Sequence, residues 1–170
     1  RPGLSARLPL SAAPAAPVRS LYIHIPFCFH KCHYCDFYSI VDTRDRQGPF
    51  VDRLIRELQA LAPVAPAPLD TIFVGGGTPS LLRVDLWERL LAAMGSVFDL
   101  SRIDRGEFTV ECNPETVSPE LMGVLATGGV MNAVGPNDSG SSGLGGGNVG
   151  QSDPDLVAIG GTVLNQTGQA

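Results

Sequence analysis

Three times between residues 20 and 130 a short β-rich run gives way to a stretch with helical periodicity. "SLYIHI" (20–25) is closed by Pro26, and "PFVDRLIRELQALA" (49–62) sets Phe50, Val51, Leu54, Ile55, Leu58 and Leu61 on one helical face. "APVAPAP" (62–68) breaks the chain before the second run, "DTIFVGGG" (70–77). The helix after it, "VDLWERLLAAMGSVF" (84–98), is apolar at Leu86, Leu90, Ala93 and Val97. "GEFTVEC" (106–112) is the third run, ended by Asn113-Pro114. "SPELMGVLATGG" (118–129) is the third helix, with Ser118 as N-cap, Pro119 at the first helical position and Gly128 as the stop. Strands alternating with helices imply an α/β fold with a parallel sheet and right-handed crossovers. Functional side chains in such sheets gather where the strands end. A cysteine loop, a glycine run and Glu111 all fall at such ends.

The cysteine loop, "FCFHKCHYCDF", holds Cys28, Cys32 and Cys35 within eight residues, and the next cysteine is Cys112. Three is odd for a disulfide framework and one short of a closed structural zinc site. Three thiolates on one short loop can hold three corners of an iron–sulfur cube and leave one iron open to a substrate. Other readings compete. A zinc site could recruit His24, His30, His33 or Cys112, but the second ligand pair usual in such sites is missing. "CHYC" could be a redox pair, but the residues after Cys35 lack a helical pattern and Cys28 is then unexplained. For Cys112 an ordinary buried thiol is the simplest reading.

In "VGGGTPS" (74–80) glycines directly follow a buried strand, so backbone N–H groups can form a nest for an anion or carboxylate. The run is neither a spaced dinucleotide fingerprint nor a phosphate loop, since no Lys follows it. Glu111 is an acid at the end of an apolar strand, which standing alone reads as solvated.

A formal charge of −5 argues against a general nucleic-acid binder. No run of eighteen apolar residues offers a membrane span. Four cysteines, three of them crowded, suit a cytoplasmic metal or redox site better than a secreted scaffold. Residues 1–19 contain Arg, Ala, Ser and Pro but no acid, and are expected to be a disordered leader. Residues 131–170 contain no aromatic residue, Lys, Arg, His or Cys and are rich in Gly, Ser and Asn. They are expected to be a flexible tail, native or the product of a shifted reading frame.

Taken in order, "LYIHIPFCFHKCHYCDF", "DTIFVGGGTPSLL" and "FTVECNPETV" resemble the radical S-adenosylmethionine proteins, specifically the oxygen-independent coproporphyrinogen III oxidase-like group. The resemblance covers about residues 20–130. It implies that Cys28, Cys32 and Cys35 bind a 4Fe-4S cluster whose open iron is chelated by S-adenosyl-L-methionine, so that the missing ligand is the cosubstrate. It also implies contacts to S-adenosylmethionine from Tyr22, Gly76, Gly77, Thr78 and Glu111, and a ring position near the cofactor for Tyr34. After the third cysteine the oxidases tend to read Cys-Gly-Cys, whereas Cys35-Asp36-Phe37 looks like the heme chaperone branch. That branch implies heme or porphyrin as a ligand, an electron donor, and heme-accepting proteins.

The fold implied is the N-terminal part of a partial (β/α)6 TIM-like barrel, about three βα units long. Beyond residue 130 the strand expected of the family, with its Arg and Gln, is replaced by "MNAVGPNDSGSS". Residues 20–130 therefore read as an incomplete core domain, inactive by itself, with an open sheet edge and one uncovered core face.

Overall fold

The computed structural model describes residues 17–33, 35–134 and, for the backbone, 156–159. Its main elements are β1 (Ser20–Ile25), β2 (Phe27–Cys28), β3 (Ile40–Val41), α1 (Gln47–Leu61), β4 (Thr71–Gly76), α2 (Val84–Val97), β5 (Glu107–Glu111), α3 (Pro119–Thr127), β6 (Asn132–Val134) and β7 (Leu156–Ile159). Five strands form one parallel sheet in the order β6-β5-β4-β1-β7, and β2 and β3 pair separately. The expected α/β architecture of three βα units is present.

Alternation along each strand divides the sheet into two unlike faces. Leu21, Ile23, Ile25, Ile72, Val74, Phe108 and Val110 share one core with Val51, Leu54, Leu58, Leu86, Leu90, Leu121 and Leu125 of the helices. Ser118 caps α3 by accepting from the Leu121 N–H, with Pro119 in the first turn, as the sequence predicts. In α2 the buried stripe is Leu86, Trp87, Leu90 and Met94, so Trp87 and Met94 take the places predicted for Ala93 and Val97. The larger side chains bury more apolar area, and the Trp87 indole N–H donates to the Pro79 carbonyl at 3.2 Å.

The opposite face is not the bare apolar surface expected of a half barrel. Ser20, Tyr22, His24, Thr71, Phe73, Glu107, Thr109 and Glu111 alternate with the core residues and carry hydroxyls, acids and rings. The edge of β1 is not open either, because β7 pairs with it from Ser20 to Ile23.

Most of the expected leader and tail lies outside the described residues. Three parts of them depart from expectation. Val18 is buried and Arg19 pairs with Asp70, which also meets Arg102 at 2.9 Å. Asn132–Val134 continues the sheet beside β5, with the Cys112 N–H donating to the Val134 carbonyl at 2.7 Å. Leu156–Ile159 is the strand on the β1 edge. A short β-capable run beside an unpaired edge gains ladder hydrogen bonds that composition alone does not reveal. Among the described residues no helix is long and apolar enough to cross a membrane.

The shifted stripe of α2 has a measurable consequence. Met94 is fully buried, so Met94→Ala is expected to cost about 2–5 kcal/mol in urea unfolding. Val97 is only partly buried, and Val97→Ala is expected to cost less.

Candidate functional site

Three chain segments meet where β1 and β4 end. The pairing of β1 with β4 runs past the strands: the Gly77 N–H donates to Ile25 O at 2.8 Å, and the Thr78 N–H to Phe27 O at 2.7 Å. On its other side the Ile40 N–H donates to Pro26 O at 2.8 Å, and Phe27 and Cys28 align with Ile40 and Val41. The root of the cysteine loop is thus held between two backbones, which fixes Cys28. The Thr78 hydroxyl approaches the Cys28 sulfur at 3.9 Å. Cys32 and Cys35 are joined by a hydrogen bond in which the Cys35 N–H donates to Cys32 O at 3.2 Å.

The glycines serve a different purpose from the nest read in the sequence. The N–H groups of Gly77 and Thr78 are taken by the cysteine-loop root, and that of Gly76 donates to Glu111 Oε2 at 3.1 Å. No anion nest is left at these three positions. Close approach is what demands glycine: a Cβ on Gly77 would lie 2.6 Å from Phe27 O, and one on Gly75 2.9 Å from Glu111 Oε2. Gly76 has φ +119°, which other residues rarely adopt. The Thr78 carbonyl accepts from the Leu81 N–H at 2.9 Å, and the Thr78 hydroxyl is the side-chain group of this turn that faces Cys28.

Glu111 stands one residue past the aligned pair Val74↔Val110, opposite Gly75, and Gly75 in turn pairs with His24. One row below, Tyr22, Phe73 and Thr109 are aligned, and the Tyr22 and Phe73 rings stack at 6.0 Å. The sequence offered His24 only as a possible zinc ligand, and Phe73 not as a site residue. The period-2 alternation of "LYIHIP" and "TIFVGG" was the available signal, since it puts both on the face of Glu111.

Burial pushes the Glu111 carboxyl above its ordinary range, opposed by the Gly76 N–H and by His24. Burial, and then the Glu111 charge, push the Tyr22 hydroxyl up to about 12. Tyr22 is therefore a neutral phenol at any physiological pH.

Among the described residues no three His, Cys, Asp or Glu side chains stand together at metal-ligating distance. The donor set nevertheless fits an iron–sulfur cluster. Cys28, Cys32 and Cys35 are free, half-buried thiols, and Cys32 and Cys35 lie outside any strand or helix that closing on a ligand would break. Cys112 lies in the hydrophobic core, where burial raises its thiol pKa, so it is the ordinary buried cysteine and not a fourth ligand. Tyr34 lies outside the described residues.

Two outcomes are expected of this geometry. Gly76→Ala forces a side chain into the positive-φ region and against the His24 ring, at a cost of about 1–3 kcal/mol in denaturant unfolding. Glu111 has a raised folded-state pKa, so its contribution to stability is full at low pH and fades as pH rises through that value. Glu111→Gln removes this dependence, so melts across pH 4–7 are expected to show the Gln variant gaining on the parent as pH rises, above about 4.3.

The sequence model of the Radical SAM superfamily matches residues 22–137. The heme chaperone HemW of Lactococcus lactis is 43% identical over 111 residues, which is 65% of this chain and 28% of that protein. The heme chaperone HemW of Bacillus subtilis is 38% identical over 114 residues, 66% of this chain and 30% of that protein. The solved coproporphyrinogen III oxidase HemN of Escherichia coli, described as a radical SAM enzyme, superposes with a TM-score of 0.62 at 25% identity. It covers 70% of this chain and 28% of its own. The matched stretch thus spans less than a third of each relative. Its motifs, its parallel sheet and its matched residues place the chain in the radical SAM superfamily.

Proposed function

We propose that this chain carries the cluster-binding part of a radical S-adenosylmethionine protein of heme metabolism, acting as a heme chaperone that binds heme and passes it to acceptor proteins. The observation that carries the reading is the loop of three free thiols rooted between β3 and the glycine turn, beside a half-buried carboxylate. Cys28, Cys32 and Cys35 would supply three cluster ligands. The fourth iron position would be left to S-adenosylmethionine. A cluster held there supplies an electron to the sulfonium, the chemistry shared by the family.

The remaining residues bind and orient. Glu111 offers a carboxylate and Tyr22 a neutral phenol on one face, a pair suited to an ammonium or hydroxyl donor. A cation arriving there offsets the desolvation that raises the Glu111 pKa, so binding and ionisation reinforce each other. Thr78 sits beside Cys28 and would meet the same ligand through its hydroxyl. The Tyr22–Phe73 stack makes an apolar shelf under this row. The cytoplasm, where thiols stay reduced, suits three free cysteines on one loop.

The chaperone reading is favoured over the oxidase by Asp36-Phe37 after the third cysteine and by the two HemW relatives. The likeness to HemN supports the second reading, oxidative decarboxylation of coproporphyrinogen III propionates.

Anaerobic reconstitution with iron and sulfide tests the shared part. About four irons and four sulfides per chain are expected, with an EPR spectrum of the reduced protein that changes on adding S-adenosylmethionine. Cys32→Ala is expected to abolish uptake. Zinc retained without sulfide overturns the cluster reading in favour of a zinc-binding interaction module. Incubation with coproporphyrinogen III separates the two branches, because formation of protoporphyrinogen overturns the chaperone reading.

A further inference from the structure

His24 lies in the first motif but neither the cluster nor the S-adenosylmethionine contacts assign it a role, and three features of the site converge on its imidazole. His24 Nε2 lies 2.8 Å from the Tyr38 carbonyl oxygen, and Nδ1 lies 3.2 Å from the Tyr22 hydroxyl. The ring also lies directly on the glycine turn, since a Cβ on Gly76 would be 2.7 Å from His24 Cε1. The Tyr38 carbonyl makes this contact although the residue is 70% exposed.

We propose that His24 is a positioning residue, holding the returning arm of the cysteine loop against β1 and orienting the Tyr22 hydroxyl toward the ligand. The role assigned rests on the cluster reading above. A carbonyl oxygen can only accept, so Nε2 carries the hydrogen. In the neutral ring Nδ1 then accepts, and the Tyr22 hydroxyl donates to it. The single hydrogen of Tyr22 is thereby committed, and only its oxygen lone pairs are left for the site. Tyr22 selects a donor on its ligand, as Glu111 does. The hydrogen bond to Tyr38 spans fourteen residues and closes the segment that holds Cys28, Cys32 and Cys35. Closing a loop at its base restricts where its thiols can go before any cluster is bound.

Two isosteres separate the two hydrogen bonds. An Asn amide reaches the position of Nδ1 but not of Nε2, and a Gln amide reaches Nε2. In the metal-free full chain, thiol alkylation by iodoacetamide is followed by peptide mass spectrometry. His24→Asn is expected to raise the rates at Cys32 and Cys35 about fivefold, the effect of one lost hydrogen bond, while buried Cys112 stays slow. His24→Gln is expected to restore parental rates. After reconstitution, iron content is expected to follow the same order, low in His24→Asn and restored in His24→Gln. Parental rates in His24→Asn overturn the proposal. So does an equal rise at Cys112, which would mark a general structural role, or a Gln variant no better than Asn. If the parent itself takes up no iron, the cluster reading fails while the alkylation rates still decide whether His24 holds the loop.

Discussion

The pairing of β1 with β4 does not stop where the strands stop, and the site depends on that continuation. Two hydrogen bonds, Gly77 to Ile25 and Thr78 to Phe27, carry the parallel ladder into the loops. They bring the first cysteine and the glycine turn into one backbone-to-backbone contact. A side chain on Gly77 would separate the two segments, so the glycine run is the steric condition for the cysteine loop's position. Gly75 does the same for Glu111, whose Oε2 would be only 2.9 Å from a Cβ there.

Around that contact the polar groups lock one loop to the next. Ser80, buried after the glycine turn, accepts from the Asn113 N–H at 2.9 Å and shares a hydrogen bond with Thr116. The loop after β4 therefore holds the loop after β5, and with it Glu111. Gln47 at the start of α1 donates to the Leu81 carbonyl at 3.0 Å and accepts from the Arg83 N–H at 3.1 Å. Buried or half-buried hydrogen bonds of this kind are costly to leave unmade, which gives the carboxyl-end loops a defined arrangement without regular structure. Among the described residues, Phe29, Lys31 and Phe37 of the cysteine loop are exposed.

The helices and strands were largely legible because each is locally specified. Alternation over two residues marks β1, β4 and β5, and Ser118-Pro119 marks the start of α3 to the residue. The faces of α2 were less legible, since periodicity allows several neighbouring stripes and packing chose the one with Trp87 and Met94. The strands β6 and β7 were not legible at all. Three or four residues of ordinary β propensity become strands only when an unpaired edge lies beside them, and that edge is a property of the sheet.

By itself the sequence determined the three βα units, the three crowded thiols and the acid at a strand end, because those depend on residue type and spacing along the chain. Tertiary structure decided what the glycines are for, since an N–H group's partner is set by whichever carbonyl the fold brings within reach. Here the fold brought Ile25, Phe27 and the Glu111 side chain, and the nest was consumed. It also decided that Cys112 is core and that His24 and Phe73 share the face of Glu111, because parallel register aligns residues 51 and 36 positions apart along the sequence.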